Sequence, residues 1–93
     1  MTQALSVDCR STGGGSECTV IVGDDPAATT HVVSVEAAVL ERLDPGAKDA
    51  TRLVTASFEF LLAREPREAI LRTFDLPVIG HYFPGYEDEI RSA

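Results

Sequence analysis

The chain reads as an α+β domain, a three-stranded antiparallel β-meander packed against a helical layer. Three observations predict this. Residues 4–35 alternate apolar and polar side chains between glycine- and proline-rich breaks. Lys48–Glu65 carries one long apolar stripe at helical spacing. Beyond it, Pro66, Pro77 and Pro84 cut the chain into short pieces that favour helical turns. With 93 residues, the whole of 1–93 forms one domain, 4–35 being the meander and 36–90 the helical part.

The first strand is predicted over Ala4–Cys9, with Leu5, Val7 and Cys9 on one side. The second covers Glu17–Val22, with Cys18, Val20 and Val22 on one side. Between them Gly13-Gly14 supplies a two-residue turn whose glycines are free to take positive φ. That turn sets Leu5 opposite Val22, Val7 opposite Val20 and Cys9 opposite Cys18, all on one face. A slip of one residue would break the match. A three-residue glycine loop is the competing arrangement. After the break at residues 23–28, Thr29–Val35 gives the third strand, with Val33 and Val35 on one face.

The helical layer starts with Glu36–Leu43, capped by Ser34 and ended by Asp44-Pro45-Gly46. In Lys48–Glu65, the residues Ala50, Leu53, Val54, Ser57, Phe58, Leu61 and Leu62 form the stripe. A short helix over Arg67–Thr73 follows and presents Ile70, Leu71 and Phe74. Asp75 caps another turn that reaches Tyr82, and Tyr86–Ile90 adds a last one.

Fifteen acidic residues against eight basic ones give a net charge of −7. The excess is spread along the chain and no basic block exists. A nucleic-acid partner is therefore not expected, nor is an anionic membrane surface. The acidity reads as a soluble surface. No apolar run approaches the roughly 20 residues of a membrane span. No signal peptide is visible at the N-terminus, so the expected location is the cytoplasm.

Cys9 and Cys18 are a candidate redox pair, because their register would admit a disulfide. The alternative is two small apolar core residues, and a reducing compartment favours that alternative. His31 and His81 are the only histidines, and their spacing fits no zinc pattern. No metal and no cofactor is expected. His81 has no serine or cysteine placed beside it by the sequence, so no catalytic residue is assigned and a non-enzymatic protein is expected.

Four of the six aromatic residues, Phe74, Tyr82, Phe83 and Tyr86, fall within residues 74–86. They either close the core over the long helix or form a partner-docking patch. Phe60 lies off the main helical stripe. Either the C-terminal segment wraps around to cover it, or it faces another chain. A homodimer is one expected partner arrangement; the identity of any other protein partner is left open.

Two resemblances follow. Thr30–Arg64 runs strand, short helix, longer helix, and resembles the ribbon-helix-helix regulators. That likeness implies pairing of His31–Val35 with the same strand of a second chain and binding of a DNA groove. Yet Val32, Val33 and Ser34 stand where those regulators carry basic or polar readers. The stretch from Phe58 to Pro66, with Ile70-Leu71-Arg72, Phe74-Asp75-Leu76, Val78-Ile79, Tyr82-Phe83-Pro84 and Tyr86-Glu87, resembles a family of small uncharacterised prokaryotic proteins. It implies a class and no activity. The expected function is a small acidic interaction or accessory module, with the ribbon-helix-helix regulator as the alternative.

Overall fold

Alternation in the first third does what the pattern demands. In the computed structural model, which describes residues 4–92, β1 (Leu5–Thr12), β2 (Gly15–Val22) and β3 (Thr29–Glu36) form an antiparallel meander. Leu5 pairs with Val22, Val7 with Val20 and Cys9 with Cys18, the register that keeps these six apolar side chains on one face. Cys18, Val20, Val22, Val33 and Val35 are buried there, while Thr19, Ile21 and Thr30 face solvent.

The turn at Gly13-Gly14 does not use the freedom expected of it. Positive φ occurs only at Gly23 and Gly46 among the described residues. The glycine that matters in the hairpin is Gly15. A Cβ there would lie 2.2 Å from the Val35 carbonyl oxygen, in the backbone of the neighbouring strand. Its bare Cα lets β3 run close past the turn into α1 (Ala37–Leu43), whose first amide donates to Gly14 O at 3.0 Å.

The sheet is larger than the predicted meander. A fourth strand, β4 (Thr73–Asp75), joins the far edge and pairs with β3 in parallel, giving the order β1-β2-β3-β4. Val32 N–H donates to Arg72 O at 2.7 Å, and Leu76 N–H donates to Ser34 O at 2.9 Å. A parallel partner needs a long crossover. Here α1 and α2 (Thr51–Leu62) supply it. The helix expected over Arg67–Thr73 is reduced to a 3₁₀ turn, Arg67–Ala69, followed by extended backbone. Extension turns successive side chains to opposite sides, so Ile70 is buried and Leu71 is 46% exposed. Ser34 stays in β3 and caps nothing; the residue before α1 is Glu36, with no side-chain cap.

On the inner face, α2 buries Leu53, Val54, Ser57, Phe58, Phe60 and Leu61. Phe58 is fully buried, with its ring centroid 5.3 Å from His31 and 6.2 Å from Phe74. The chain then closes with α3 (Val78–Tyr82) and α4 (Tyr86–Ser92). Surface pairs tie α4 down: Arg42 to Glu87 at 3.0 Å and Arg64 to Glu89 at 3.1 Å. Exposed pairs of this kind contribute little individually. No helix is long and apolar enough to cross a membrane among the described residues.

The expectation of two reduced thiols is corrected. Cys9 and Cys18 are joined in a disulfide across β1 and β2. The register brings their Cα atoms to 4.0 Å, the close approach of a non-hydrogen-bonded pair, so the sulfurs meet on the inner face.

Candidate functional site

Irregular backbone after α2 opens a cleft. It is held between the end of α2, residues 69–71, β4 and α3, and has a volume of about 420 Å³. Leu61, Ile70, Phe74 and Ile79 are its buried members. Leu71 and Tyr82 are its exposed members, at 46% and 67%. Val78 and Phe83 are half-buried between them. Glu65 is the acidic lining residue, and it forms no ion pair among the described residues. Two exposed apolar or aromatic groups beside an apolar hollow form a patch that ordinary surface composition does not require.

The cleft exists because its walls are pinned from behind. His31 is fully buried on β3. Its Nδ1 lies 2.8 Å from the Leu71 carbonyl oxygen, so Nδ1 carries the proton and donates. Nε2 then accepts from the Thr29 hydroxyl at 2.8 Å. In the neutral ring this pair of bonds fixes the tautomer, and it holds the backbone of Leu71 against the sheet. Burial pushes the His31 pKa down, the hydrogen bond to Leu71 opposes that, and the Arg72 charge adds to the lowering.

Arg67 pins the other end. Its side chain is 13% exposed and donates to Val22 O at 3.3 Å, to Asp25 at 3.1 Å and to Glu68 at 3.2 Å. The guanidinium fills the space above Gly23, where a Cβ would lie 2.0 Å from it. The 3₁₀ turn is thereby stapled to the β2–β3 loop by charge-assisted bonds.

The remaining aromatic candidates lie in the core. Tyr86 is fully buried and Phe60 and Phe74 are nearly so. Phe60 packs edge-on against Phe83 at 5.7 Å and Tyr86 at 5.2 Å, and Arg64 caps its ring at 3.6 Å from the centroid. The C-terminal segment therefore wraps around α2 and covers Phe60. Of the five suggested docking residues, Phe60 and Tyr86 are core positions that do not line the cleft, while Phe74 is buried and forms part of its wall. Tyr82 is at the surface and Phe83 at the edge. Ser57 Oγ donates to Leu53 O at 2.8 Å and receives the Tyr86 hydroxyl at 2.6 Å. Burial pushes the Tyr86 phenol up to about 12, against the smaller opposing effect of Ser57.

Sequence reasoning missed Leu71, Val78 and Glu65 as lining residues. The signal was weak: Leu71 sits beside Ile70 after a proline, and which of two adjacent leucine-like residues faces out depends on the backbone being extended. His81 is exposed on α3. The disulfide pair lies elsewhere, on the hairpin. In comparison with known proteins, no family model, curated protein or solved structure matches the chain.

Proposed function

We propose that this chain is a non-enzymatic interaction module whose cleft receives a short segment of a partner protein. The observation that carries this is the exposed Leu71–Tyr82 pair over an apolar hollow of about 420 Å³. That volume suits one or two large side chains, at the lower end of the roughly 300–1,000 Å³ of ligand pockets. Charge defines the occupant. The chain carries −7 and Glu65 lines the cleft without an ion-pair partner among the described residues. The fitting segment has an apolar or aromatic anchor next to a lysine or arginine.

The ribbon-helix-helix alternative has less support. β3 lies inside the sheet, with β2 on one side and β4 on the other, so its centre has no free edge for a second chain. Disulfides are rare in cytosolic proteins and those present are mostly transient, so the Cys9–Cys18 bond weighs against a cytoplasmic location.

Panning a random peptide display library on the immobilised protein tests the reading. The expected result is enrichment of sequences with an apolar anchor beside a basic residue, and loss of their binding to Leu71→Ser/Tyr82→Ser. No enrichment, or peptides that bind this variant equally well, would overturn it.

A further inference from the structure

We propose that β1 is a self-association edge, on which a second copy of this chain adds its own β1 antiparallel. β1 ends the sheet, and its outer side has no strand beside it among the described residues. Its free backbone groups can be assigned. The ladder to β2 bonds through Ala4 O with Gly23 N–H at 2.7 Å, and the turn closes at Thr12 and Gly15. Bonded pairs alternate from there, so Ser6, Asp8, Arg10 and Thr12 point their backbone groups toward β2. The 4.0 Å Cα spacing of Cys9 and Cys18 agrees, being that of a non-bonded pair. Leu5, Val7, Cys9 and Ser11 therefore direct N–H and C=O outward, with no backbone bond among the described residues on that side.

Two of the usual blocks are missing from this edge. It carries no proline and no bulge, and it runs for eight residues in unbroken register. On the inner face Leu5, Val7 and Cys9 stay half-exposed, although they pack against the core. A neighbouring copy would extend that apolar row.

Charge selects both the partner and the register. Asp8 and Arg10 are exposed on the outer face, and Asp8 forms no ion pair among the described residues. Arg10 is paired with Glu17, yet its side chain is 75% exposed and keeps donors free. Placing a two-fold axis at Cys9 makes Val7 bond to Ser11 of the second copy, and Cys9 to its equivalent, in about six backbone hydrogen bonds. It also sets Asp8 directly opposite Arg10 of the second copy, twice, in the closely spaced positions where opposite charges attract. An axis at Asp8 would oppose the two Asp8 carboxylates, and an axis at Val7 would pair neither charge. A self-complementary edge of this kind closes as a two-fold dimer with one continuous sheet.

Sedimentation across a concentration series tests this with four proteins, each checked for folding by circular dichroism. The wild type should rise from 10.0 kDa to twice that mass. Asp8→Arg alone and Arg10→Asp alone should stay monomeric, because each opposes like charges at both positions. Mixed in equal amounts, the two variants should dimerise, since every opposed pair is again Arg with Asp. Ser11→Pro removes an outward amide at an exposed position and spares the ladder to β2; it should be folded and monomeric. A wild type that remains at 10.0 kDa throughout would overturn the proposal. So would single variants, or Ser11→Pro, that dimerise as the wild type does, or a mixture of the two charge variants that stays monomeric.

Discussion

The β1–β2 hairpin and the segment from Pro66 to Phe83 are similar in length and opposite in what shapes them. The hairpin is shaped by neighbours. Its alternation, its turn and its register agree within residues 5–22, and Gly15 clears the way for β3. The later segment is shaped by residues far away in sequence. Its backbone bonds go to Val32 and Ser34, its carbonyl at Leu71 is held by His31, and its Arg67 reaches Val22 and Asp25. Local pattern gives a regular strand pair. Distant partners give irregular backbone, and irregular backbone leaves the cleft. The lesson is that the cleft, the site proposed to receive a partner, lies where local propensity loses to tertiary bonding.

The widest break in that comparison is Phe58→Ala, because its ring touches His31 on β3 and Phe74 on β4 and sits in the core that both regions share. Truncating a fully buried phenylalanine should cost about 3–5 kcal/mol, read as a lowered urea midpoint. Reduction of the disulfide acts on the hairpin alone. For a separation of nine residues the chain-entropy account gives about 2–3 kcal/mol. Urea melts with and without a phosphine reductant measure it, and the tyrosine fluorescence of the cleft should keep its native value after reduction.

The C-terminal region is probed separately by Ser57→Ala. It strips the Tyr86 hydroxyl of its acceptor in the core, for a cost of about 1–3 kcal/mol. Adding Tyr86→Phe removes the orphaned hydroxyl, so the double variant should be more stable than Ser57→Ala alone. Equal stability would mean that the Tyr86 hydroxyl finds another partner.

The smallest effect is in pH. The folded pKa of His31 is lowered from 6.5, so below pH 6.5 the unfolded chain takes up a proton that the folded chain refuses. Stability should therefore fall as pH drops from 6.5 toward the lowered folded value, and level off once the buried ring titrates too. Above pH 6.5 this contribution is flat. A two-dimensional NMR titration of the imidazole, beside urea melts from pH 7.5 to 5, shows whether the loss follows His31.

Most of the sheet and the inner stripe of α2 were legible, because period-two and helical spacings mark a buried face directly. Phe60 was not, since its burial depends on Phe83 and Tyr86 folding over it. β4 was not, since three residues carry no periodicity and Thr73-Phe74-Asp75 gains its strand character only from β3. For the same reason Ile70 and Leu71 could not be told apart in the sequence, and with them the cleft. The pairing of Cys9 with Cys18 was legible as geometry, because the register that buries Val20 and Val22 also sets the two cysteines opposite each other; a reducing compartment alone points to free thiols and carries no information about that geometry.

The most direct test of this account is amide hydrogen exchange at Val32 and Leu76. These two amides donate to Arg72 O and Ser34 O, and through them β4 and the wall of the cleft are attached to the sheet. The account predicts that both are protected to the same degree as the core of β2. If both exchange at the rates of exposed loops while β2 stays protected, β4 is not paired with β3 and the cleft is not a built feature of the fold.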